Sequence, residues 1–106
     1  AVSDRDSIIA LAGAPRRELL DKPNSADLDQ IMERRKCYRY TPGSAKLRAA
    51  ETADRYHLGI AAPIVSQGDL MGCVMLLMDE HEQAPGEGDQ RLAQTVAGFL
   101  AKQMEN

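Results

Sequence analysis

The stretch "GIAAPIVSQGDLMGCVMLLMDE", residues 59–80, constrains the fold more than any other part of this chain. Two apolar runs flank Ser66-Gln67-Gly68-Asp69, a turn sequence in which Gly68 is free to take positive φ. Leu58, Ile60, Ala62 and Ile64 fall on one side of the first run, and Ala61 and Val65 on the other. The return run, Leu70–Met78, is apolar on both faces, so it belongs at the centre of a sheet covered on both sides. Pro63 lacks the N–H that a ladder needs and should mark a bulge or a position unpaired on that side. The rest of the chain has to supply cover above and below.

Ala1–Ser3 and Ile8–Ala12 flank the polar Asp4-Arg5-Asp6-Ser7 and read as a β-hairpin. Gly13-Ala14-Pro15 breaks the second strand, and Pro15 opens a short helix to Leu20. Asn24 or Ser25 can cap a further helix, with Asp27 in its first turn and Leu28, Ile31 and Met32 at helical spacing. "KCYRY" (36–40) alternates like a strand, and residues 41–54 read as a loop with a short strand. "HEQAPGEGDQ" (81–90) is an exposed loop in which Glu87 and Asp89 start a helix reaching residue 104. Leu92, Val96, Phe99 and Leu100 form an apolar stripe on that helix, predicted to lie on the sheet. Ala93, Ala97 and Ala101 make a neighbouring small-residue stripe, predicted to face a second helix and serve as an oligomer interface.

The length of 106 residues suits one domain, 1–106, and 43% apolar content fits a globular chain. A net charge of −3 argues against a domain that grips a nucleic-acid backbone on its own. Arg34, Arg35, Lys36 and Arg39 form a basic cluster, read as an answer to a helix dipole. Two cysteines make no disulfide framework and suit a reducing cytoplasm. The longest apolar runs stop well short of a membrane span, and no membrane partner is expected. The chain opens inside strand-like sequence and reads as a fragment of something longer.

No residue carries a strong catalytic signal. Cys73 sits between Gly72 and Val74 with no basic neighbour to favour a thiolate, and reads as a small buried hydrophobe. Cys37 follows three basic residues, surroundings that favour a thiolate, yet on a peripheral strand it reads first as a structural cysteine. His57 and His81 lie outside any metal-ligand spacing, so neither a metal nor a cofactor is expected. "GAPRRE" (13–18) reads as a strand-to-helix turn with a solvated basic face, and "PGEG" (85–88) lacks the lysine of a phosphate loop.

The run "APIVSQGDLMGCVMLL" (62–77) resembles the central hairpin of GAF domains: a Pro-Ile start, a glycine turn, and a second glycine opening the return strand. "VSDRDSIIALAGAPRRELLDK" (2–22) and "TVAGFLAKQMEN" (95–106) resemble the C-terminal regulatory domain of the stage V sporulation protein T family. These are AbrB-type transcriptional regulators of endospore-forming bacteria. The resemblance implies an α+β, GAF-like domain: a central antiparallel sheet with helices on both faces and an N-terminal helix missing from the chain. It also implies a sensory and oligomerising role, self-association as dimer or tetramer through terminal helices, and DNA contact only through an absent N-terminal domain. Carried onto this chain, the family pocket would be lined by Tyr38, Tyr40, Tyr56, Gly59 and Cys73, around an unidentified small molecule. The cyclic-nucleotide and bilin-attachment signatures of other GAF domains are missing. A purely structural assembly domain is the alternative, and a GAF-type methionine sulfoxide reductase the remote one.

Overall fold

The computed structural model describes residues 1–10, 20–43, 45–50, 53–78 and 85–103. Their elements run β1 (Val2–Ser3), β2 (Ile8–Ala10), α1 (Ala26–Arg34), β3 (Tyr38–Arg39), β4 (Arg48–Ala50), β5 (Ala53–Ser66), β6 (Asp69–Met78) and α2 (Glu87–Gln103). The six strands form one antiparallel sheet in the order β2-β1-β6-β5-β3, with β4 also paired to β5. The fold is α+β, with α1 on one face and α2 on the other. The short helix expected from Pro15 lies outside the described residues.

The long hairpin forms where the turn chemistry requires it. Gln67 and Gly68 both take positive φ, 52° and 83°, as a two-residue turn matched to strand twist demands. From there β5 and β6 pair from Ser66↔Asp69 to His57↔Met78, with register shifts at Leu58/Ile60 and Ile64/Val65. Alternation then divides the side chains between two cores. Leu58, Ala61, Cys73 and Met75 join Ile8, Leu28, Ile31 and Met32 of the α1 core. Ile60, Ala62, Ile64 and Val74 face α2. β6 lies between β1 and β5, so its centre is covered above, below and on both edges.

Pro63 sits where its missing N–H costs nothing. Tyr40 N–H donates to Gly59 O at 2.8 Å, and alternation turns Ala61 and then Pro63 toward the same edge of β5. β3 covers that edge only at Ile60 and Ala61, so the proline nitrogen faces a site with no strand acceptor. Gly72 is required for another reason. A Cβ there would lie 2.0 Å from the Ser3 carbonyl oxygen, because β1 crosses directly over it.

Helix α1 begins at Ser25, whose Oγ accepts from Leu28 N–H at 3.0 Å and donates to the Arg48 carbonyl. Ser25 N–H also donates to Ala49 O at 3.1 Å, so one residue caps the helix and ties it to β4. The helix stops at Arg35, in the left-handed region at φ 56°, with its N–H on Met32 O. The Arg35 guanidinium donates through Nη1 to Gly68 O at 2.6 Å, fastening the helix end to the hairpin turn.

Helix α2 corrects one expectation. Ala93 and Ala97, assigned to an outward oligomer seam with Ala101, are buried at 2% and 5% exposure against Ile60, Ala62, Ile64 and Val74. Ala101 is partly buried against the same cluster. Leu92 and Phe99, assigned to the sheet, are 59% and 62% exposed. The reason is volume: the sheet already presents large branched side chains here, and a helix can settle onto them only with its small face. Val96 and Leu100 flank the contact, partly buried.

The two faces of α2 should therefore separate cleanly in mutants. Ala97→Glu forces a carboxylate against the sheet and is expected to cost roughly 2–4 kcal/mol of stability, read as a lower urea midpoint. Leu92→Glu should leave the midpoint within about 0.5 kcal/mol of the parent.

Candidate functional site

The residues suggested by resemblance fall on β3, β5 and β6, except Tyr40, which directly follows β3. Tyr38 pairs with Ala61, which places its ring on the α1 face beside the core of Leu28, Ile31 and Met75. Its hydroxyl is enclosed and has no hydrogen-bond partner among the described residues. Burial, with Tyr40 and Asp27 nearby, pushes the phenol pKa up, so the group stays a neutral donor. Cys73 shares that face, paired with Pro63 and fully buried. Gly59 lies at the first register shift of β5, where a Cβ would stand 3.0 Å from both Leu76 O and Met78 Cγ. Its carbonyl holds Tyr40 through the backbone bond already described, and the Tyr40 side chain is half-buried. Tyr56 is on β5, and its side chain lies outside the described residues.

Tyr38 and Cys73 are thus brought to one face, with Gly59 and Tyr40 bonded to each other beside them. Between Tyr38 and Cys73 the face carries Ala61 and Met75, both fully buried. Two clefts lined by described residues lie elsewhere. One, of about 740 Å³, opens between the β1–β2 turn and the β5–β6 turn, with Asp4, Asp6, Arg35, Asp69 and Met71 on its walls. The other, of about 310 Å³, runs between α2 and the open edge of β5, past Arg35, Cys37, Pro63 and Ala97. Arg35 stands between them and lines both. The sequence pointed to Arg35 only as part of a charge cluster; its left-handed cap and its bond to the turn carried no local signal.

Two further buried polar atoms stand beside the β1–β2 turn. Asn24 Nδ2 donates to Asp4 O at 3.0 Å, yet Asn24 Oδ1 has no partner among the described residues. The same holds for Ser3 Oγ. Asp4 organises this turn, accepting from Asp6 N–H and Ser7 N–H at 2.8 Å each, and those bonds hold its carboxyl below the usual range.

The two thiols belong to different cores. Cys73 packs in the α1 core and Cys37 against the α2 core, on opposite faces of the sheet. Burial pushes the Cys73 thiol up to about 12, with Cys37 adding to the rise and the N-terminal amine opposing it. At Cys37 the electropositive neighbours do not prevail. Burial raises its pKa as well, outweighing the hydrogen bond from Gln90 and the charge of Arg39. No group of three or more His, Cys, Asp or Glu suited to a metal occurs among the described residues. Among the same residues no helix is long and apolar enough to cross a membrane.

Comparison with known proteins gives this arrangement its context. The chain is 30% identical over 104 residues to stage V sporulation protein T of Bacillus subtilis (strain 168). That match covers 98% of the chain and 57% of the relative, so the chain spans less than two thirds of the relative's length. A family model described as "Stage V sporulation protein T C-terminal, transcription factor" matches residues 1–105. On that match the chain belongs to the family of stage V sporulation protein T C-terminal domains.

Proposed function

We propose that this chain is the regulatory, GAF-like domain of a cytoplasmic sporulation transcription factor, and that it senses a small polar molecule on the α1 face. The observation that carries the sensing role is the enclosed Tyr38 hydroxyl, which has no partner among the described residues. A buried donor left unpaired costs about 1–3 kcal/mol, and a ligand acceptor placed against it recovers that cost. Tyr56, Gly59 and Cys73 on the neighbouring strands, with Tyr40 just past β3, complete the proposed pocket. Binding there would bear on α1 and β4 through Ser25, and on the hairpin turn through Arg35. The signal would pass to a DNA-binding domain elsewhere in the full-length regulator. The role is non-catalytic: a methionine sulfoxide reductase needs thiols that exchange, and these two face opposite ways.

Thermal-shift screening against a panel of small polar cell metabolites tests the sensing role. A binder at one hundred times its dissociation constant adds about 2.7 kcal/mol and raises Tm by roughly 10–20 °C. Tyr38→Phe should abolish the shift while leaving the unliganded Tm unchanged or higher. A panel without a binder, or a shift that survives Tyr38→Phe, removes the sensing role.

A second reading, assembly, is favoured by the outward face of α2. Leu92 and Phe99 stand two turns apart, exposed, with Val96 between them. This is the stripe by which α2 would join the terminal helices of a dimer or tetramer, in place of the alanine face buried on the sheet. Phe99→Glu is expected to lower the sedimentation mass of the full-length regulator with no loss of thermal stability in this domain. An unchanged mass would clear this stripe of any part in assembly.

A further inference from the structure

The net charge of −3 hides a separation of charge. Residues 34–48 hold six of the 13 Lys and Arg and none of the 16 Asp and Glu. That span therefore carries +6 while the rest of the chain carries −9. The fold lays the span along one edge. From Tyr38↔Ala61 through Arg39↔Ile60, the Leu58 N–H to Leu47 O bond, and Arg48↔His57, the backbone tracks the outer side of β5. Six residues of β5 separate the levels of Lys36 and Arg48, about 20 Å at roughly 3.4 Å per residue. Arg34, Lys36 and Lys46 are exposed, and Arg39 is partly so. These four make no ion pair among the described residues.

We propose that this edge is a docking surface for the phosphate backbone of duplex nucleic acid. Among the described residues, the large exposed apolar side chains, Ile9, Met71, Leu92 and Phe99, all lie on other elements. Protein interfaces need such anchors at their centre, whereas phosphate contact needs cationic groups alone. A 20 Å stripe faces about twelve phosphate charges of a duplex, at one per roughly 1.7 Å of axis, enough for four cations to find partners. The net charge, which argues against a nucleic-acid grip by this domain alone, averages over this asymmetry. Four phosphate contacts imply a loss of about a thousandfold in affinity between about 20 and about 150 mM salt, from a slope near 0.9 per contact. The chain alone then binds weakly at low salt and immeasurably at physiological salt. Tethered beside a second DNA-reading element, the edge gains from high local concentration.

The test titrates the 106-residue chain onto a fluorescent 20-base-pair duplex of random sequence across that salt range. A slope of about −3 to −4 in log K against log salt is expected, without sequence preference. The triple variant Arg34→Glu, Lys36→Glu, Lys46→Glu should flatten the slope to about −1 or lose binding, with circular dichroism unchanged. Arg5→Glu, Arg91→Glu, Lys102→Glu alters net charge equally and should keep the parental slope. No binding at the lowest salt overturns the proposal. So do equal losses in the two variants, which mark a net-charge effect. Competition by polyglutamate as strong as by duplex, charge for charge, overturns it in favour of an acidic protein partner.

Discussion

Burial of β6 on both faces is the constraint on which the rest of this structure depends. A strand whose alternate residues, Cys73 and Met75 on one side and Val74 on the other, all need cover cannot be served by one layer. It needs two helices and two neighbouring strands. Four of the remaining elements fill those places. β5 supplies one edge through a tight turn, and β1 supplies the other by passing over a residue without a side chain, Gly72. Helix α1 brings Leu28, Ile31 and Met32 to one face; α2 brings Ala93 and Ala97 to the other.

The two faces are closed by different physical means. On the α1 side the helix contributes the bulk, and polar bonds from Ser25 and Arg35 fix its two ends to β4 and to the hairpin turn. On the α2 side the sheet contributes the bulk and the helix contributes closeness. This second solution leaves Leu92 and Phe99 in solvent. An apolar face exposed by the same packing that makes the helix fit is consistent with a domain built to associate.

What could be read in advance follows from where each signal resides. The β5–β6 hairpin was legible because turn chemistry and strand alternation are local, as was a helix cap at Asn24 or Ser25, of which Ser25 takes the place. Strand β4 was barely visible: Arg48-Ala49-Ala50 has no strand preference of its own and is extended because β5 offers it a ladder. The stripes of α2 were both legible, but which one meets the sheet depends on the volume of Ile60, Ile64 and Val74 across the gap. At the proposed pocket, the shared face of Tyr38 and Cys73 follows from pairing register, which no single segment encodes. The electropositive neighbours of Cys37 are a weak guide for a related reason. Sequence shows the charges, while desolvation, the larger effect, depends on the fold.

The surfaces left over after the core is satisfied account for the proposed functions: an enclosed hydroxyl on the α1 face, an apolar stripe on α2, and a basic edge along β3 and β4. All three hang on the rigidity of the central hairpin, so its stability is the claim most worth testing. Native-state hydrogen exchange measures it residue by residue. Protected amides of Cys73–Leu76 and Ile60–Ala62 should open only with global unfolding, while those of β3 and β4 should open at lower free energy. If the β6 amides exchange as readily as those of β4, the doubly covered strand is not the organising centre of this fold.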